Sequence, residues 1–207
     1  MRSCLTELDR LLASIRACRF CVETPYREPL PHEPRPVLRA SDKARLAICS
    51  QAPGTRVHAS GISFTDLSGD RLRDWMNVTP AEFYDETRVA IVPMGFCFPG
   101  QDAKGGDLPP RAECAPLWRQ RVFDALPQIE LVLAVGSYAQ RWHLGEAAGD
   151  TLQATMLDWR KHLRRKTRPR ILPLPHPSWR NNAWLKRNPW FESELLPALR
   201  REVRRLL

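Results

Sequence analysis

Four short apolar runs, Arg45–Cys49, Arg88–Gly95, Glu130–Gly136 and Arg170–His176, are separated by stretches whose apolar residues recur every three or four positions. Such alternation of strands with helical stretches predicts parallel strands joined by right-handed crossovers. The expected fold class is therefore α/β: a three-layer α/β/α sandwich with a central four-stranded parallel sheet. Helices are expected over 3–17, where Leu5, Leu8, Leu12 and Ile15 keep helical spacing, and over 68–76, where Leu72, Trp75 and Met76 do so. Further helices are expected at 114–126, 137–144 and 150–165, and from about Pro189 to Leu206. The segment Tyr26 to Val37, with Pro25 just before it, brings five prolines and predicts an extended arm across the surface. The 207 residues are enough for one well-buried domain, 1–207, and short for two.

Composition narrows the function classes. No apolar run approaches the roughly 18 residues that span a bilayer, and the first residues, Met1 to Asp9, mix acids with apolar residues instead of forming a signal sequence. A soluble, cytoplasmic monomer with no membrane partner is the expectation. Lys and Arg number 32 against 23 acids, a formal charge of +9, which favours a polyanionic partner and nucleic acid first. Arg160, Lys161, Arg164, Arg165, Lys166, Arg168 and Arg170 follow one another without an intervening acid. The cluster lacks interleaved aromatics beyond Trp159, so it predicts contacts to phosphates, not bases.

Six cysteines in such a chain argue against a disulfide framework. Cys18-Arg-Phe-Cys21 is a CxxC, and Cys97 and Cys114 flank a Pro/Gly-rich loop, while Cys4 and Cys49 fall in a helical pattern and a strand. From spacing alone, an iron–sulfur cluster, a zinc ion and free thiols stand level.

In an open parallel sheet, ligands bind beyond the carboxyl ends of the strands. The first strand runs out into Ser50-Gln51-Ala52-Pro53-Gly54, whose turn lets main-chain amides approach a ligand. The fourth runs out into His176-Pro177-Ser178-Trp179-Arg180-Asn181-Asn182: an imidazole, a proline turn, an aromatic, a cation and two amides. The ends of all four strands share one edge, and that edge is the expected site.

The chain resembles the uracil-DNA glycosylase superfamily, and within it the iron–sulfur branch called family 4. The likeness rests on Ser50-Gln51-Ala52-Pro53-Gly54 against a Gly-Glu-Ala-Pro-Gly motif and on Gly61-Ile62-Ser63-Phe64 against Gly-x-Pro-Phe. It rests further on the two cysteine pairs and on the His176-Pro177-Ser178 box, all in the family's order. The resemblance implies a DNA repair enzyme that excises uracil, or a related deaminated base, from single- or double-stranded DNA by N-glycosidic hydrolysis. It implies a [4Fe–4S] cluster on Cys18, Cys21, Cys97 and Cys114. His176 would donate to the departing uracil O2, where charge develops, and Gln51 would act beside it. Ala52, Pro53, Gly54, Phe64 and Ser178 would line the base, with Phe64 as the stacking face. Trp179, Arg180 and Asn181 would engage DNA and fill the gap left by the flipped nucleotide, alongside Arg164, Arg165 and Lys166.

Two departures bear on the chemistry. Gln51 stands where the family carries a glutamate that helps position water, which leaves His58 as the candidate for that part. The second strand ends Met94-Gly95-Phe96 without the family's base-reading asparagine, which leaves the choice of base open. A non-hydrolytic protein that binds damaged bases is the alternative reading.

Overall fold

A computed structural model describes residues 5–207; Met1–Cys4, on which the start of the first expected helix and Cys4 fall, lie outside the described residues. The sheet consists of β1 (Leu46–Cys49), β2 (Val89–Ile91), β3 (Leu131–Val135) and β4 (Arg170–Leu174), in the order β2-β1-β3-β4. Every pairing is parallel. The strands are buried on both faces, yet their residues still segregate with a period of two. Leu46, Ile48, Val89, Ile91, Leu131, Leu133, Leu172 and Leu174 face one core. The smaller Ala47, Cys49, Ala90 and Ala134 face the other, with Val132 and Ile171. The three-layer sandwich expected from the sequence is the observed fold.

Before the sheet come α1 (Glu7–Arg16) and α2 (Phe20–Glu23), and α1 opens on a capping box in which Thr6 and Asp9 satisfy each other's amides. After β1 follow α3 (Thr55–Ser60), α4 (Leu67–Met76) and α5 (Pro80–Tyr84). A π-helical turn, Ala115–Arg119, leads into α6 (Gln120–Asp124), and α7 (Ser137–Leu144) leaves the end of β3. The expected helix over 150–165 is two pieces, α8 (Leu152–Leu157) and α9 (Trp159–Leu163), broken at Asp158. Beyond β4 lie α10 (Asn182–Arg187), a π-helical turn at Phe191–Leu195 and α11 (Leu196–Leu206). The larger core packs α4, α5, α8, α9 and α11 on the large-residue face of the sheet; α1, α6 and α7 cover the small-residue face. Burying a Leu or Ile at each of these positions contributes about 1.5–3 kcal/mol, so both helical layers are tied firmly to the strands. Among the described residues no helix is long and apolar enough to cross a membrane.

Candidate active site

Main-chain bonds beyond β1 and β2 hold the first motif at the sheet edge. The Met94 amide donates to Ser50 O (2.7 Å) and the Gly95 amide to Gln51 O (3.0 Å). A buried cation sets the neighbouring strand end: Arg119 donates from Nη1 to Val92 O (2.7 Å) and Pro93 O (2.6 Å), and its Nη2 lies 2.8 Å from His143 Nε2. Burial, and then Arg119 itself, lower the His143 pKa to about 3, so the imidazole stays neutral and accepts from the guanidinium. Nothing in the sequence distinguished Arg119 from the protein's other cations.

A cleft of about 630 Å³ opens at this edge, lined by Gln51, Ala52, Pro53, Gly54, Phe64, His176, Ser178, Trp179, Arg180 and Asn181, all expected from the sequence. Such a volume admits a whole nucleotide. Phe64, buried at the cleft, adopts φ 60°, a backbone conformation uncommon for a bulky residue. Its carbonyl accepts from Arg73 Nη1 (3.0 Å) and Tyr84 Oη (3.0 Å), and its ring meets Phe83 edge-on. A strained conformation persists only where the surroundings over-determine it, and strain of this kind concentrates at ligand sites.

His176 follows β4. The Ser178 amide donates to its Nδ1 (3.3 Å), so the neutral imidazole carries its proton on Nε2. Burial lowers its pKa most; Arg180 lowers it further, against Asp66 and Asp107, which raise it. The side chain is thus a neutral Nε2–H donor. Asn181 Nδ2 donates to the His176 carbonyl (2.7 Å), and Arg71 Nη1 donates to Ser178 O (3.3 Å) and Asn182 Oδ1 (2.8 Å), tying the loop to α4. Gln51 Nε2 donates to Leu108 O (3.2 Å), which seats the loop following Cys97 against the first motif.

A family model described as "Uracil DNA glycosylase superfamily" matches residues 38–200, well over half of the chain and every segment of this cleft. The chain belongs to the uracil-DNA glycosylase superfamily. Superfamily members are in general N-glycosylases that act on DNA, and the cleft of this member sits where a parallel sheet presents its ligand site.

The other expected residues lie elsewhere. His58 does not line the cleft: its ring packs on His32 (4.3 Å) and Phe98 (5.7 Å). Arg164, Arg165 and Lys166 precede β4 and so lie at the amino-terminal edge of the sheet, opposite His176. That edge carries an ion-pair network of its own, in which Glu130 meets Arg45, Arg168 and Arg205, and Arg170 meets Glu202. The cation missed at the cleft is Arg56. Trp179 at the rim is 73% exposed and Leu67, which opens α4 beside the cleft residue Asp66, is 81% exposed; such large exposed apolar groups are of the kind that enter a base stack.

Cys18, Cys21, Cys97 and Cys114 line one mostly apolar cavity with Ile15, Phe96 and Trp118. The Phe96 amide donates to Cys114 Sγ (3.3 Å). Burial pushes the Cys21 thiol up to about 11 and those of Cys97 and Cys114 up to about 12. Among the described residues no group of three or more His, Cys, Asp or Glu is placed to hold a single metal ion.

Proposed function

We propose that this protein excises uracil from DNA by hydrolysing the N-glycosidic bond. One observation carries the reading: a held aromatic face, Phe64, and a neutral Nε2–H donor, His176, line a single nucleotide-sized cleft. Extrusion of the nucleotide presents uracil to Phe64. As the bond breaks, negative charge gathers on O2 and the His176 donor meets it there. Ala52, Pro53, Gly54 and Ser178 close round the base, and Arg56 and Arg180 offer charge to the flanking phosphates. Trp179 enters the gap left in the stack. The test is incubation with a uracil-containing oligonucleotide followed by alkaline strand scission. Cleavage at the uracil position supports the reading; tight binding without cleavage replaces it with a non-hydrolytic binding protein.

We further propose that Cys18, Cys21, Cys97 and Cys114 hold a [4Fe–4S] cluster. The donor set fits: four thiols converge on an apolar cavity, with a main-chain amide donating to one sulfur, and hydrogen bonds of that kind accompany cluster thiolates. The cluster would brace the end of α1 and the segment after β2 against one another. Anaerobically purified protein should be brown and carry about four irons per chain; stoichiometric zinc without visible absorbance would overturn the assignment.

A further inference from the structure

Hydrolysis needs a group that takes a proton from water, and the first motif supplies none, since Gln51 is an amide engaged with Leu108 O. His58 is packed away from the cleft. Two carboxylates line it, Asp66 and Asp107. Asp66 Oδ1 accepts the Gly69 amide (3.0 Å) and caps α4, a structural task, and its Oδ2 likewise has no hydrogen-bond partner among the described residues. Asp107 arrives from the loop between Cys97 and Cys114. Its Oδ1 accepts from Gln101 Nε2 (3.3 Å), while its Oδ2 has no hydrogen-bond partner among the described residues. Oδ2 also lies so close to Gly54 that a Cβ at that position would stand 2.9 Å from it. Glycine in the first motif thus leaves room for this carboxylate over the motif. Three interactions hold the loop in place: the Gln51 contact, the bond from the Leu108 amide to Gly100 O (2.9 Å) and the bridge between Gln101 and Asp107.

We propose that Asp107, carried in on the cysteine-flanked loop, is the catalytic carboxylate that the first motif lacks. The proposal rests on the excision reading. The C1′–N1 bond breaks with both electrons leaving on uracil, and His176 Nε2–H meets the charge on O2. Water oxygen bonds to the cationic C1′ and gives one proton to the Asp107 carboxylate. That proton then passes to the departed uracil anion, which restores the carboxylate and leaves free uracil and an abasic sugar. Before attack the same negative charge faces the cationic sugar, an interaction stronger in the transition state than in the bound substrate.

Single-turnover excision and equilibrium binding, both on a single-stranded uracil oligonucleotide, test this on the parent, Asp107→Asn, Asp107→Ala and Asp66→Asn. Asp107 is exposed, so its substitutions should fold. Asp107→Asn should excise about 10²–10⁴ times more slowly and bind within about threefold of the parent. Sodium formate should restore part of the rate of Asp107→Ala, because a small carboxylate can enter the space the truncation leaves, and should do nothing for Asp107→Asn. An active parent with Asp107→Asn within about threefold of it overturns the proposal and leaves the excision reading standing. So does a loss confined to Asp66→Asn, or a loss in Asp107→Ala that comes with lost binding and no response to formate. A parent inactive on the uracil oligonucleotide overturns the excision reading, and the proposal with it.

Discussion

His176→Ala should excise uracil about 10²–10³ times more slowly than the parent under single-turnover conditions, while binding uracil-containing single-stranded DNA within a few-fold. The asymmetry follows from where the charge is. Uracil O2 in the bound substrate is an ordinary carbonyl, and it becomes an anion's oxygen only as the bond to C1′ lengthens. A donor aimed at it therefore acts chiefly on the transition state. The donor is neutral and its proton is on Nε2, because burial depresses its pKa and the Ser178 amide occupies Nδ1. The variant should fold, since the bond from Asn181 reaches the His176 main-chain carbonyl and not its ring. Equal single-turnover rates for parent and variant would remove His176 from the chemistry.

The strands were legible because each is short, apolar and followed by a break, and a strand buried on both faces reads as a continuous apolar run. The sequence does not resolve where a helical pattern divides. Met156, Trp159 and Leu163 recur at helical spacing on both sides of Asp158 and all enter the same core, so the apolar pattern runs unbroken through a break that the backbone makes at Asp158. Thr79-Pro80-Ala81-Glu82 carries a capping box and an N-terminal proline, a legible helix start, but α5 is too short for periodicity to register. In α3 no residue is buried, so it has no apolar face to detect.

At the site, residues adjacent in sequence were found and residues brought together by folding were not. The first motif and the His176 loop each announce themselves locally as the end of a strand. Asp107 reaches Gly54 only through the loop that Gln51 seats, and no local pattern joins them. Charge density along the chain did not point to the cleft. The run from Arg160 to Arg170 is dense but leads into the start of β4, and in a parallel sheet the start of a strand faces away from the ligand edge. Cations brought to the cleft singly, Arg56 and Arg180, carry no such linear signature.

Gly69→Ala should reduce stability and substrate binding together, although it places a better helix former inside α4. In an open helix the exchange stabilises by about 1 kcal/mol. Here the new Cβ would stand 1.8 Å from the Phe64 carbonyl oxygen and 2.5 Å from its carbon, both backbone atoms with little freedom to yield. Arg73 and Tyr84 already hold that carbonyl from other directions. Relief requires α4 to slide or Phe64 to leave its left-handed conformation, and overpacking of this kind costs about 1–3 kcal/mol or more. The clash outweighs the propensity gain. Each kcal/mol lowers the midpoint of a chain this size by about 2–4 °C, so Tm should fall by several degrees, whereas Leu67→Ala, two positions away and 81% exposed, should leave it near the parent value. Stacking on an aromatic contributes about 1–3 kcal/mol per base, so displacing Phe64 should weaken binding of the uracil oligonucleotide about tenfold or more, the loss that His176→Ala should not show. An unchanged Tm with unchanged binding would mean that Phe64 tolerates the intrusion and that its fixed backbone does not serve the base.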